Sequence, residues 1–275
     1  MTLLTSTSDT GGLLTDQIGA LIVQPTLDMS VAAQVATVVS TSSHTYRLPV
    51  VATDPSAAWV AEGAEITPSD AVLEELIVTP KKLAGLSILS RELAEDSSPA
   101  ASKVVGEGLA RDLSRKLDAA FFANTTSNGP SGLLSLTTST TVAAFTSTDV
   151  FAAAISEAET FGAKLNYFVT TPAVTLTLAQ LKKATGSNEP LLGSDATEPG
   201  TRTILGVPLL VSSAVSADVV WGIDSNFVQV VVRDDTRLEV DRSAYFSSDR
   251  VGVKATMRAA FAFPHPLSIQ KITAA

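Results

Sequence analysis

The chain has 275 residues, with 28 acidic against 19 basic side chains, a formal charge of −9 and a pI near 4.7, which excludes nucleic-acid binding through a basic face. It contains no cysteine, which rules out a disulfide framework, a thiolate metal site and a cysteine nucleophile. Apolar residues make up 45% and charged residues only 17%, a share low enough to point to a surface covered by partners, and no run of about 18 apolar residues exists to cross a membrane.

Residues 1 to about 15 are rich in Thr, Ser and Gly and read as a flexible leader without the basic start of a signal peptide. From Leu13 to Val39 the apolar spacing is mixed, which predicts an extended arm with a short helix around Asp16–Val23. Residues 44–50 (HTYRLPV) alternate like a strand. Between Leu48 and Pro80 there is then no lysine or arginine, but there are six carboxylates: Asp54, Glu62, Glu65, Asp70, Glu74 and Glu75. This stretch also holds Trp59, one of only two tryptophans. It reads as a hairpin with an outgoing strand near Ala57–Gly63 and a return strand near Ala71–Thr79. Thr67-Pro68-Ser69-Asp70 supplies the turn chemistry. An acidic hairpin with so little core-forming periodicity has the character of an arm that lies on another molecule.

A strand follows at 83–90 (LAGLSILS). The clearest helix comes next: Ser97 and Ser98 offer capping hydroxyls and Pro99 suits the first turn. Val105, Leu109, Leu113, Leu117 and Phe121 recur every four residues and form one apolar stripe. About 25 residues of helix would run close to 37 Å, long enough to act as a spine. The second half reads as α/β. A helix capped by Thr148 or Asp149 runs to about Phe161, and a strand covers 166–171. A helix then opens at Thr171 and Pro172 and ends near Lys183, with Gly186 placed for a C-cap. A polar loop spans 186–206, and strands are expected at about 207–213, 218–223, 227–233, 237–241 and 250–263, with a short one at the end.

Chemistry is hard to find. His44 and His265 have no partner at metal-ligand spacing, and structural or surface roles are expected for both. No nucleophile elbow, phosphate loop or dinucleotide fingerprint occurs. Asp234-Asp235 reads as a turn between strands, with Arg233 and Arg237 as ion-pair partners. No catalytic residue, metal or cofactor is expected, and the chain is read as not an enzyme. The sharper reading of the hairpin carboxylates is an inter-subunit surface formed by Trp59, Glu62, Glu65, Asp70, Glu74 and Glu75. Its candidate basic partners on a neighbouring copy are Arg111, Arg115, Lys116, Arg233, Arg237 and Arg242.

Four stretches, in this order, resemble the major capsid proteins of tailed bacteriophages, the fold named for the Hong Kong ninety-seven phage. They are Gly11-Gly12-Leu13-Leu14, the passage WVAEGAEITPSDAVLEELIVTPKKLAGLSILSRELAEDS at 59–97, the Tyr167–Pro172 strand followed by ILGVPLLVSSAV at 204–215, and the ending RDDTRLEVDRSAYFSSDRVGVKATMRAAFAFPHPLSIQKI. The resemblance implies an α+β phage major capsid fold. Its parts would be an N-terminal arm (1–47), an extended loop (48–82), a peripheral domain with the spine helix (83–130 plus 251–275) and an axial domain (131–250). It implies hexamers and pentamers of one chain that form the icosahedral or prolate head shell of a virion, assembled in the bacterial cytoplasm around double-stranded DNA, with no membrane. Portal, scaffold and decoration proteins are the implied further partners. Some members weld their shells from a loop lysine to an asparagine; this loop has no lysine before Lys81 and Lys82 at its base, so no such cross-link is expected. If Met1 is the encoded start, no cleaved scaffolding segment precedes the arm. The competing readings are an encapsulin-type nanocompartment shell, which shares the fold, and a monomeric α/β enzyme, for which no constellation is found.

Overall fold

The apolar stripe with its four-residue spacing does form one long helix, α2 (Ala100–Phe122). Leu113, Leu117 and Phe121 of the stripe are buried, and Val105 and Leu109 are half-buried. The computed structural model of the chain describes residues 27, 29–90, 100–184, 187, 191–192, 202–241 and 243–274. The helix expected at Asp16–Val23, the capping residues Ser97, Ser98 and Pro99, and Arg242 lie outside them.

Ahead of α2 come a short helix, α1 (Val31–Val35), and the strands β1 (Thr37–Thr41), β2 (Tyr46–Thr53), β3 (Val72–Val78) and β4 (Lys81–Ser90). After it come β5 (Ser139–Val142), α3 (Asp149–Thr160), β6 (Tyr167–Thr170) and α4 (Pro172–Gln180). The chain closes with β7 (Thr203–Ile204), β8 (Val207–Val211), β9 (Val219–Ile223), β10 (Gln229–Asp241), β11 (Arg250–Ala262) and β12 (Gln270–Thr273).

Among the described residues these strands form three sheets. The first has the order β1-β10-β11-β4, antiparallel except for the parallel edge pair β1–β10. The second is mixed, with the order β5-β12-β9-β6-β8-β7, and the third is the isolated pair β2-β3. Helix α2 lies on one face of the first sheet, where Leu113 packs with Ala255 and half-buried Leu83. The two larger sheets share a core. All five residues of β9 are buried, and they alternate between two clusters. Val219, Trp221 and Ile223 join Leu117, Phe121 and Phe261, whereas Val220 joins Phe151, Phe168 and Leu178 under α3 and α4. The sheets cut across the divisions read from the resemblance: β10, inside 131–250, pairs with β11, and β12, inside 251–275, pairs with β5 and β9.

Local chemistry explains where other elements differ from expectation. Asp234-Asp235 does not turn the chain. β10 continues through it, because Arg233 pairs with Arg258 and Arg237 with Thr256, so the extra residues form a bulge. Helix α4 starts as read, the Thr171 hydroxyl accepting from the Val174 N–H at 3.4 Å, but ends at Gln180 instead of Lys183. Leu181 turns extended and its carbonyl is taken by the Leu191 N–H at 2.7 Å, so the helix cannot continue. Helix α3 takes its side-chain cap from Ser147, whose Oγ accepts from the Asp149 N–H at 3.2 Å, and not from Thr148. The loop read over 186–206 also contains β7.

Candidate inter-subunit interface

The acidic segment folds as a hairpin, though not with the expected outgoing strand. β2 is the outgoing strand, paired from Tyr46↔Val78 to Thr53↔Val72, and residues 57–63 are irregular. The β-branched and aliphatic residues that favour pairing lie in YRLPVVAT, whereas Ala57-Ala58 and the approach to Gly63 offer none. The chain turns at Glu62-Gly63, where Gly63 has φ +80° and the Ala64 N–H donates to the Ala61 carbonyl at 3.1 Å. The expected Thr67–Asp70 turn lies within the returning irregular stretch, where the Ser69 hydroxyl donates to the Ser56 carbonyl at 3.0 Å.

Among the described residues this hairpin has no third layer. An isolated two-stranded ribbon is marginal in water, and this one exposes Val51, Trp59, Ile66, Leu73 and Ile77. Trp59 shows 106% of its reference area, against 1% for Trp221. Within the hairpin Glu75 pairs with Arg47 at 3.2 Å, an exposed contact of small energetic weight. Asp54, Glu62, Glu65, Asp70 and Glu74 stand exposed, with no ion pair among the described residues. At the base the Tyr46 hydroxyl donates to Gln229 Oε1 at 3.3 Å, joining the hairpin to β10.

The expected basic partners fall into two separate groups. Arg111, Arg115 and Lys116 are exposed on α2, away from the sheet it covers. Arg233 and Arg237 lie on the opposite side, on the open face of the first sheet. Sequence reasoning missed a second junction. Asp118, on the core side of α2 between Leu117 and Phe121, accepts from the Ser30 hydroxyl at 2.6 Å and from the N–H groups of Ala32 and Val31 at 3.0 and 3.2 Å. It therefore caps α1 from outside and fixes the segment entering β1 onto the spine. The available signal was a carboxylate in the apolar stripe's own face, which has to find donors.

Burial pushes the Asp118 carboxyl up, against the lowering effect of its Ser30, Ala32 and Val31 donors. The folded chain thus holds this proton to higher pH than the unfolded chain. The stability it contributes is full below the unfolded value and is lost as pH rises through the folded one. Urea titrations across that window are expected to show wild type losing stability relative to Asp118→Asn as pH rises, then a constant difference. Wild type gaining stability relative to Asp118→Asn as pH rises would contradict this.

His265 sits edge-on to Phe227 at 5.4 Å and to Phe161 at 6.4 Å, a packing role, and His44 is exposed. Among the described residues, no group of three or more His, Asp or Glu could hold a metal ion.

In sequence comparisons the profile of the Phage capsid family matches residues 10–274. No curated protein matches the chain. Among solved structures, one titled Microbacterium phage Oxtober96 has a TM-score of 0.74 at 20% identity, covering 90% of this chain and 91% of that one. Another, titled Mycobacterium phage Adephagia, has a TM-score of 0.73 at 18% identity, with 90% of each chain covered. A third, titled "Capsid of native GTA particle computed with C5 symmetry", has a TM-score of 0.72 at 19% identity, with 100% of this chain and 95% of that one covered. Identities at this level carry the fold, and it is shared over nine-tenths or more of the chain.

Proposed function

Because this chain belongs to the phage capsid family, we propose that this capsid shell protein closes into hexamers and pentamers that form the head around double-stranded DNA. The observation that carries this reading is the hairpin at 46–78, which exposes Trp59 and unpaired carboxylates and has no core of its own. A surface of that kind is stable only when covered. Ring closure through heterologous contacts would cover it once per subunit. The peripheral region is proposed as the first sheet with α2, the axial region as the six-stranded sheet with α3 and α4, and the hairpin as the extended loop between copies. Portal, scaffold or decoration proteins would meet the outside of such rings, and the assembled product would be the virion shell.

The test is assembly of the purified protein, followed by electron microscopy and tryptophan emission. Closed particles are expected, with emission moving to shorter wavelength as Trp59 is covered, and Trp59→Phe should abolish that shift because Trp221 is already buried. A chain that stays monomeric, or particles whose Trp59 emission is unchanged, would sink the reading. Nuclease-resistant DNA is expected inside particles recovered from infected cells.

Shell cohesion is proposed to be non-covalent through the loop, since the residues between Leu48 and Pro80 include no lysine. Particles boiled in detergent are expected to run as the 28.5 kDa monomer. Ladders of covalent multimers joined through hairpin peptides would contradict this.

A further inference from the structure

Helix α2 ends at Phe122, and the chain then doubles back on itself before it enters the rest of the fold. Thr125 and Ser131 face each other in an isolated antiparallel bridge, and the Gly132 N–H donates to the Asn124 carbonyl at 3.1 Å. The tip is Thr126-Ser127-Asn128-Gly129, closed by the Gly129 N–H donating to the Thr126 carbonyl at 2.9 Å. Asn128 holds the third place of this turn at φ +58°, a left-handed conformation that asparagine tolerates better than most residues. Its side chain is exposed. Of the chain's asparagines only Asn128 precedes a glycine; Asn124, Asn166, Asn188 and Asn226 precede Thr, Tyr, Glu and Phe.

A carboxamide followed by glycine can react with its own backbone. Glycine has no Cβ to shield its nitrogen or to restrict the rotation that brings that nitrogen onto the side-chain carbonyl carbon. The obstacle is negative charge. The Gly129 nitrogen has to give up its proton to become a nucleophile, and the charge then passes to the carbonyl oxygen under attack. The surroundings favour both steps. The tip borders a hollow of about 340 Å³ beside the edge strand β4, lined by Asn128, Gly129, Lys81, Lys82 and Lys116 among others, and no carboxylate lines it. Cations beside a group that gains negative charge stabilise its charged form. The turn bond from Gly129 to Thr126 has to open first, which costs little at an exposed loop tip, and the bridge below it can stay closed.

We propose that Asn128 is a self-modifying site, converted without an enzyme to aspartate and isoaspartate, and that Lys81, Lys82 and Lys116 promote the conversion. The Gly129 nitrogen bonds to Asn128 Cγ as its proton leaves to water. The Cγ–Nδ2 bond then breaks, and the nitrogen takes a proton from water and departs as ammonia. Water opens the resulting cyclic imide at either carbonyl, which gives an aspartyl residue or an isoaspartyl residue with an extra methylene in the backbone. Nothing is oxidised or reduced. Either product sets a carboxylate among the lysines of a hollow that had none. The change runs one way, so its extent records the age of the chain and is independent of the shell reading.

Ageing the purified full chain at physiological temperature and mildly alkaline pH tests this. Fragmentation of the tryptic peptide Leu117–Lys164 should show an acid at position 128, with isoaspartate detected by an isoaspartyl methyltransferase, while Asn124 in the same peptide stays an amide. Lys81→Gln with Lys116→Gln should slow the conversion by about threefold or more, and Asn128→Ser should abolish it. Should the double lysine variant fail to fold, wild type in high salt replaces it, because exposed lysines are screened there and the rate should fall likewise. Asn128 that stays an amide, or converts no faster than Asn124, overturns the site. An unchanged rate without the lysine charges, or in high salt, overturns their role. Ammonia lost with residue 128 left joined to a lysine would make that lysine the nucleophile and overturn the proposal as well.

Discussion

Phe121→Ala is expected to destabilise the unassembled subunit by about 3–5 kcal/mol in equilibrium urea unfolding. Phe121 is fully buried at the end of α2 and meets three aromatic rings. Phe122 and Phe261 are edge-on at 5.0 and 5.1 Å, and Phe263 is tilted at 6.1 Å. Truncation removes the transfer energy of a whole ring and leaves a hole. The lining of that hole belongs to both the spine and β11, neither of which can collapse without dragging a sheet. It also removes the edge-to-face contacts, each worth about 0.5–1.5 kcal/mol beyond area. Against a typical domain stability of about 5–15 kcal/mol, this is a large fraction. Phe121→Leu, which keeps most of the volume, should cost well under half as much. A loss below about 1 kcal/mol for the alanine variant would mean that the two sheets do not share this core.

Gly132→Ala should cost about 3 kcal/mol or more, with loss of soluble subunit at physiological temperature. The glycine backbone (φ −107°, ψ −165°) is open to any residue, so the constraint is space. A Cβ there would lie 2.2 Å from the Ala120 carbonyl oxygen, 2.4 Å from that of Phe121 and 2.5 Å from that of Ala123. These are carbonyls of the last turn of α2 and just beyond. The returning chain comes close because it serves them: the Gly132 N–H donates to the Asn124 carbonyl at 3.1 Å and the Leu134 N–H to the Ala123 carbonyl at 3.2 Å. Inserting a methyl group pushes these donors off the helix end and leaves acceptors unpaired. Gly106, inside α2 with open space at its Cβ position, supplies the contrast, since alanine there should stabilise by about 1 kcal/mol. Equal effects at the two sites would refute the packing argument.

What the sequence made legible follows from which physics is local. The stripe from Val105 to Phe121 exposed α2 because a 3.6-residue period admits one answer, and Thr171-Pro172 marked the start of α4 by cap chemistry alone. The order of the motifs named the family, and with it the α+β fold. The failures share a cause. Asp234-Asp235 looked like a turn because turn propensity is local, but β11 runs alongside both halves of β10 and holds them in one strand. Helix α4 stops early because Leu191, ten residues on, takes the Leu181 carbonyl. The hairpin's acidity was plain in the sequence, but which strand led out of it depended on pairing between residues some twenty to thirty positions apart. The basic partners were named as one pool, and only the sheet register separated those on α2 from those on the open face. Asp118 went unnoticed because its donors lie 86 to 88 residues away.

The junction at Asp118 has a mechanical consequence. A pull arriving from the N-terminal side first loads the α1 cap, held by three hydrogen bonds to the spine, and then the β1–β10 ladder, where five residue pairs lie parallel and share the load in shear. Only beyond both does the chain enter β2. Tension on the segment before residue 30 is thus delivered to α2 and β10, and little of it reaches the hairpin. Two handles that are neighbours in sequence therefore move as separate levers, so one can be tugged by an adjoining copy while the other keeps its seat.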